Sequence, residues 1–380
     1  MSIPQAKQMR RAYGFDEVAI VPGDLTVNPA LTETSFRLGE LEFPLPILAA
    51  AMDAVVDPSF AASFAKVGGL PVLNLEGVQT RYEQPDAVLE EIAAAAPDKA
   101  TVLLQKAYAE PIRTELIGER IREIKQTGTI CAVSCTPVNT KQFAPLAKEA
   151  GVDVFVVQST VTSARHLSSS EKGLVFPELV EAMAPVPVVV GNTVGYSACK
   201  ELMETGIAAV LVGIGPGSAC TSREVLGIGV PQVTATMDCA LARDQYYRES
   251  GRYVPIITDG GIRSGGDFCK AFASGADAVM LGSTLAACEE ASGRGHHWGM
   301  ATPHADLPRG VRVSVGVGTT LQQVLFGPTA RTDGTENLLG ALRTAMGMCG
   351  VRTIRDFQQV ELMVAPAIKT EGKQIQMAQR

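Results

Sequence analysis

Ala208-Ala-Val-Leu-Val212 runs directly into Gly213-Ile-Gly-Pro-Gly-Ser-Ala-Cys-Thr-Ser-Arg-Glu-Val-Leu-Gly-Ile-Gly-Val-Pro231, and this stretch decides how the rest of the chain is read. The first five residues are apolar and rich in branched side chains, the pattern of a strand buried on both faces. The strand then opens into glycines at 213, 215 and 217, where backbone amides and carbonyls lie bare to a bound molecule because no side chain shields them. Ser218 adds a hydroxyl and Cys220 a single thiol. Thr221, Ser222 and Arg223 give that thiol polar and cationic neighbours of the kind that favour a thiolate. The plainer alternative is a glycine-rich loop around an inert buried cysteine.

Working outward, the same unit recurs on both sides. Near-continuous apolar runs at 46–53, 69–74, 129–134, 152–157 and 187–191 precede it, and runs at 254–258 and 276–281 follow it, with helical patterns between most of them. About eight strand–helix units with fully apolar strands predict a parallel sheet closed into a (β/α)8 TIM barrel. A doubly wound open sheet is the alternative, but no stretch carries a dinucleotide fingerprint at a first βα turn. Asp259-Gly-Gly-Ile-Arg-Ser-Gly-Gly266 ends the seventh strand and Leu281-Gly-Ser-Thr-Leu285 the eighth. Loops in these places commonly hold a phosphate, and Gly261, Gly282 and Ser283 are placed to donate to one.

The remaining segments attach to a single domain spanning 1–380. Residues 13–23 and 34–43 read as a small antiparallel lead-in. Residues 77–128 read as a peripheral helical insertion with helices at 86–95 and 112–125. The pattern breaks after Glu290, and 291–335, rich in Gly, Pro and polar residues, reads as a flap. Residues 335–350 are again an amphipathic helix, and 365–380 a polar tail.

Composition narrows the partners. Of 380 residues 46% are hydrophobic, ample for a large core, while 19% charged residues and a net charge of −7 lack the basic balance of a nucleic-acid binder. No run has the length of a membrane span, and the N-terminus has no apolar signal region. The eight cysteines form no CxxC pair and no zinc spacing, so reduced thiols in a cytoplasmic protein are expected. His296, His297 and His304 lie close together, but adjacent histidines on a regular element face opposite ways, and no zinc site is expected.

GIGPGSACTSR, ITDGGIRSGGD and AVMLGSTLA, in that order, resemble the catalytic core of the IMP dehydrogenase/GMP reductase family. So do FDEVAIVPG and PILAAAMDAVVDP near the start and LLGALRTAMGMCGVRTI near the end. The likeness covers most of the chain and weakens over 77–128 and 300–332. It implies an oxidoreductase that joins the purine C2 carbon to a cysteine thiolate, here Cys220, while a nicotinamide exchanges hydride at that carbon. It assigns the nucleotide phosphate to Ser218, Gly261, Gly282 and Ser283, the ribose to Asp259, and the purine surroundings to Met52, Gly299 and Met300. Asn192 would face the reaction centre beside the cofactor, with Gln158 and Glu290 bordering the same cofactor. A potassium ion, where the family uses one, would take the carbonyls of Gly215, Gly217 and Cys220. A homotetramer or homo-octamer is implied.

Several positions depart from the family pattern. Gln158 replaces the aspartate that contacts the nicotinamide ribose, Ala50 replaces a serine, and His297-Trp298 replaces a Tyr-Arg. The 77–128 segment is too short for a pair of CBS modules, so the chain resembles the CBS-less IMP dehydrogenase-related branch. No Arg-Tyr pair, which the dehydrogenase uses to activate water, occurs between 290 and 335. The expectation is therefore a GMP reductase that converts GMP to IMP with NADPH, Ser222 and Glu290 handling the ammonia. The alternatives are oxidation of IMP to XMP with NAD, and a purine-nucleotide-binding protein without turnover.

Overall fold

The computed structural model describes residues 9–167, 173–299 and 311–366. Eight strands, β1 (Ile47–Ala49), β2 (Leu70–Asn74), β3 (Ala132–Cys135), β4 (Val154–Gln158), β5 (Val188–Thr193), β6 (Ala209–Val212), β7 (Ile256–Asp259) and β8 (Ala278–Leu281), lie side by side in chain order. All pairs are parallel, and β8 returns to β1 through Val279 opposite Ile47, closing the expected (β/α)8 barrel. The absence of hydrophobic alternation in the strands has a direct cause. In β4, Val154 and Val156 pack inside the barrel with Ala132, Val189 and Leu211, whereas Phe155 and Val157 pack outward against the helices. Both faces are dry, and each such side chain contributes about 1.5–3 kcal/mol of burial.

Around the barrel, α1 (Pro58–Lys66) follows β1, and three helices follow β2: α2 (Pro85–Ala94), α3 (Pro97–Ala109) and α4 (Thr114–Gln126). The insertion is therefore smaller than the sequence suggests. Ile117, Ile121 and Ile124 of α4 join Phe60 and Phe143 in the main core, so α4 is a barrel helix. Only α2 and α3 stand apart, with Leu89, Ile92, Leu104 and Tyr108 gathered around Trp298 in a separate cluster. Helices α5 (Thr140–Glu149), α6 (Phe176–Met183) and α7 (Tyr196–Glu204) follow the next three strands, and β6 leads through the short α8 (Ser222–Leu226) into α9 (Gln232–Ser250). After β7 comes α10 (Gly265–Ala273), and after β8 the four-residue α11 (Ser283–Ala286).

The lead-in is two separate pieces. Phe36–Leu38 pairs with Leu41–Phe43, and this hairpin buries Phe36, Leu38 and Phe43 with Leu70, Ala132 and Ala278, the opening residues of their strands, closing the N-terminal mouth. Val18–Ile20 pairs instead with Leu362–Val364 near the other end of the chain. In the flap, His296–His297 pairs antiparallel with Val313–Ser314, followed by α12 (Leu321–Phe326) and by α13 (Leu338–Met348), which packs on α10. Among the described residues no helix is long and apolar enough to cross a membrane.

Candidate active site

At the C-terminal ends of the strands lies one cavity of ≈ 490 Å³, to which all eight strand ends contribute. Its wall is the loop after β6, folded tightly by the glycines read from the sequence. Gly213 has φ +151, and a Cβ there would lie 2.2 Å from the Asp259 carbonyl oxygen, so the β6 and β7 ends touch through bare backbone. The loop is tied at both ends: Asn192 Nδ2 donates to Gly213 O at 2.9 Å and Gln232 Nε2 to Val212 O at 2.7 Å. Arg223 does not attend the thiol, as the sequence suggested. Its guanidinium packs against Gly215 and Gly229 and donates to Val230 O at 3.0 Å, pinning the two limbs of the loop together.

Cys220 sits half-buried on the cavity wall, its Sγ 3.3 Å from the Oγ of Ser222, which is buried. Cys135 borders the same cavity, but burial pushes its thiol well above the usual range. A polar knot lies at the ends of β4, β5 and β7. Asp259 Oδ2 accepts from Asn192 Nδ2 at 2.8 Å and Gln158 Nε2 at 3.1 Å, and Gln158 Nε2 also lies 2.9 Å from Asn192 Oδ1. Burial outweighs these two amide donors and lifts the Asp259 pKa to about 6. Gln158 thus brings an amide, rather than a second carboxylate, against Asp259. At the far end Ser218 Oγ and Ser283 Oγ are 2.7 Å apart.

The structure brings Met52, Gln158, Asn192, Gly215, Gly217, Ser218, Cys220, Ser222, Asp259, Gly261, Gly282, Ser283 and Gly299 to one cavity. It does not bring Glu290 there: the carboxylate accepts from Leu321 N at 3.1 and 3.2 Å and is spent holding the start of α12. Met300 and His304 lie outside the described residues. Of the carbonyls assigned to potassium, that of Gly217 accepts from Cys220 N at 3.0 Å within the turn. No group of three or more metal-ligating side chains occurs among the described residues.

Sequence reading missed Glu76, Arg81 and Thr136, which also line the cavity, and His297, noted there only as a departure from the family pattern, lines it too. Glu76 accepts from Thr136 N and Thr136 Oγ1, both at 2.8 Å, and from Asn139 Nδ2. Arg81 donates to Glu76 O at 3.2 Å and to Glu110 O, with its guanidinium 5.8 Å from the Tyr108 ring centre. The signal was present in Asn74-Leu-Glu76 and Ser134-Cys-Thr136, polar residues set just past apolar strands, but only the single Gly77 stands beside them and no glycine-rich loop draws attention.

Comparison with known proteins agrees with this geometry. The IMP dehydrogenase / GMP reductase domain family matches residues 12–373. A protein of Mycolicibacterium smegmatis named as an uncharacterized oxidoreductase is 39% identical, over 96% of this chain and 99% of that protein. The inosine-5'-monophosphate dehydrogenase of Methanocaldococcus jannaschii is 25% identical, over 94% of this chain and 93% of that one. A crystal structure of an IMP dehydrogenase/GMP reductase-like protein from Corynebacterium glutamicum superposes with a TM-score of 0.89 at 36% identity, covering 96% of this chain and 97% of that one. By its barrel, its cysteine loop and these likenesses, the chain belongs to the IMP dehydrogenase/GMP reductase family of oxidoreductases, in the branch of barrel-length chains.

Proposed function

We propose that the protein is a GMP reductase, converting GMP to IMP with loss of ammonia. The observation that carries this reading is the Cys220–Ser222 pair, 3.3 Å apart in a cavity that also holds Ser218, Ser283 and Asp259. The thiolate adds to the electron-poor C2 carbon, and the hydroxyl beside it is within reach of the departing amine to pass it a proton. The carboxylate of Asp259 suits two ribose hydroxyls, and the serines at the far end suit a phosphate. A nicotinamide cofactor supplies the hydride. The other side of the cavity, with Asn74, Glu76, Thr136 and Asn139, offers polar groups for it, and the Arg81 guanidinium there favours NADPH over NADH. The lack of an Arg-Tyr pair in the flap argues against water as the attacking group. We further propose a cytoplasmic homotetramer or homo-octamer, with potassium use a matter for assay in KCl against a bulky-cation salt.

One observation favours the opposite direction, oxidation of IMP to XMP with NAD. With Glu290 held at Leu321, the carboxylate expected to join Ser222 in handling the ammonia does not line the cavity. Incubation with GMP plus NADPH, and separately with IMP plus NAD, decides. Loss of NADPH absorbance with IMP formed is expected. NADH and XMP from the second mixture alone would overturn the reductase reading, and binding without turnover in either would overturn both.

A further inference from the structure

The amide of Asn192 is oriented by its neighbours. Its Nδ2 donates to Gly213 O at 2.9 Å and to Asp259 Oδ2 at 2.8 Å, and only a nitrogen satisfies both acceptors. Its Oδ1 is therefore turned toward Gln158, whose Nε2 lies 2.9 Å from it and 3.1 Å from Asp259 Oδ2. Position 158 thus faces two acceptors, and only a side chain ending in a donor completes the knot. The family's aspartate at this position would set carboxylate against carboxylate and against the Asn192 carbonyl. Both amides converge on Oδ2, so Asp259 is gripped by one oxygen, while Oδ1 takes no hydrogen bond among the described residues. No charge shares this grip. Strands β4, β5, β6 and β8 carry no ionisable side chain. Helix α9, packed on β7, spends Asp238 on Arg10, Arg243 on Asp244 and Asp277, Arg248 on Gln245 and Glu249 on Lys200. Across the cavity Glu76 is held by Thr136 and Asn139, Arg81 by the carbonyls of Glu76 and Glu110, and Cys220 by Ser222.

We propose that Gln158 is a positioning residue for substrate recognition: by donating to one oxygen of Asp259 it fixes the carboxylate and leaves the other oxygen to accept from the ribose hydroxyls, so that the knot selects ribonucleotides over 2′-deoxyribonucleotides. This rests on the reading of the substrate as a purine mononucleotide. A fixed carboxylate cannot turn to make good a missing 2′-hydroxyl, and the acceptor left short at the bottom of the cavity then counts against the deoxy compound. A carboxylate freed from Gln158 can re-aim at the 3′-hydroxyl or at water, and the penalty shrinks. Because Asn192 is also tied to Gly213 O, at the start of the cysteine loop, the ribose carboxylate and Cys220 are set on one frame.

Calorimetric titration of the whole protein with GMP and with 2′-deoxy-GMP, at pH 7 and at pH 8.5, tests this. Asp259, with its pKa raised to about 6, stays ionised across that range in the wild type. The wild type is expected to prefer GMP by about tenfold or more at both pH values, since a hydroxyl bonded to a charged group is at stake. Gln158→Leu is expected to lose about tenfold in GMP affinity and much less for the deoxy compound, so that the preference shrinks. Gln158→Glu, alike in shape, puts two carboxyl groups on one proton. While that proton is shared the pair holds as the amide does, and its loss toward pH 8.5 should weaken GMP binding relative to wild type by up to about tenfold per pH unit. The ligand's own ionisation is common to both proteins and cancels. An unchanged GMP preference in Gln158→Leu, or a Gln158→Glu affinity that tracks wild type at both pH values, would overturn the inference, as would a wild type indifferent to the 2′-hydroxyl. Failure of the wild type to bind GMP or IMP at all would overturn the mononucleotide reading instead. If Gln158→Leu does not fold, the pH profile of Gln158→Glu decides alone.

Discussion

Cys220 and Ser222 divide the chemistry between a bond to carbon and a proton for the leaving group, and substitution separates the two. Cys220→Ala should lower turnover by at least about 10³-fold while leaving nucleotide binding nearly intact, because Ser218, Ser283 and Asp259 are untouched. Ser222→Ala should lower kcat by about 10²-fold with little change in KM, since the hydroxyl is asked to act only as the C–N bond breaks. Steady-state kinetics with calorimetric binding checks both. Asp259 makes a different prediction. Burial raises its pKa from 3.8 to about 6, so the folded protein holds that proton more tightly than the unfolded chain does. Its contribution to stability is fully present below about pH 4 and is lost as pH rises through 6. Asp259→Asn keeps an oxygen to accept from Asn192 and Gln158 but carries no charge. The ligand-free variant should therefore exceed wild type by up to about 3 kcal/mol at pH 8, with the gap closing toward pH 4, as read by urea midpoints. Residues of this kind were legible because glycine, serine and cysteine stand side by side in one strand-end loop. Glu290 shows the limit: a carboxylate just past α11 is equally suited to substrate or to a backbone amide, and Leu321, which takes it, lies far along the chain.

Among the elements, the barrel strands could be read from their apolar runs since burial on both faces leaves no other composition. Pairings between distant segments were not legible. Nothing in Val18–Ile20 names Leu362–Val364 as its partner, and the helix pattern of α4 cannot say whether it joins the ring. Helix α3 escaped notice because its burial is spread over small residues such as Ala100 and Ala107 rather than a bold apolar stripe. Its work is done by Tyr108, whose hydroxyl donates to Asp53 Oδ2 at 2.5 Å and accepts from Trp298 Nε1 at 2.8 Å. Tyr108→Phe strips a partner from both and should cost about 1–3 kcal/mol. Trp298→Phe should cost less, and the two losses should not add in the double variant, since the contact they share is removed only once. Denaturant unfolding of the four proteins tests the cycle, and simple additivity would separate the two side chains energetically.

At the scale of the molecule, the fold sorts its sulfur. Burial pushes the thiols of Cys131, Cys269 and Cys288 up to about 12, and it also holds those of Cys135 and Cys199 well above the usual thiol range. Only Cys220 and Cys349 escape full burial, and Cys349 Sγ lies 3.5 Å from the Val21 carbonyl beneath the N-terminal segment. Brief alkylation of the native protein followed by peptide mapping should therefore label Cys220 first, and GMP should protect it. Label spread evenly over the eight cysteines would contradict the packing described.

The Asp53–Tyr108–Trp298 contact spans three stretches of chain: the turn after β1 that also carries Met52, the inserted helix, and the root of the flap. A chimera that borrows the flap of a relative without its insertion, or the reverse, would inherit half of a joint. Exchange of either part alone should yield poorly folded hybrids, whereas the two transplanted together should travel as a working cassette.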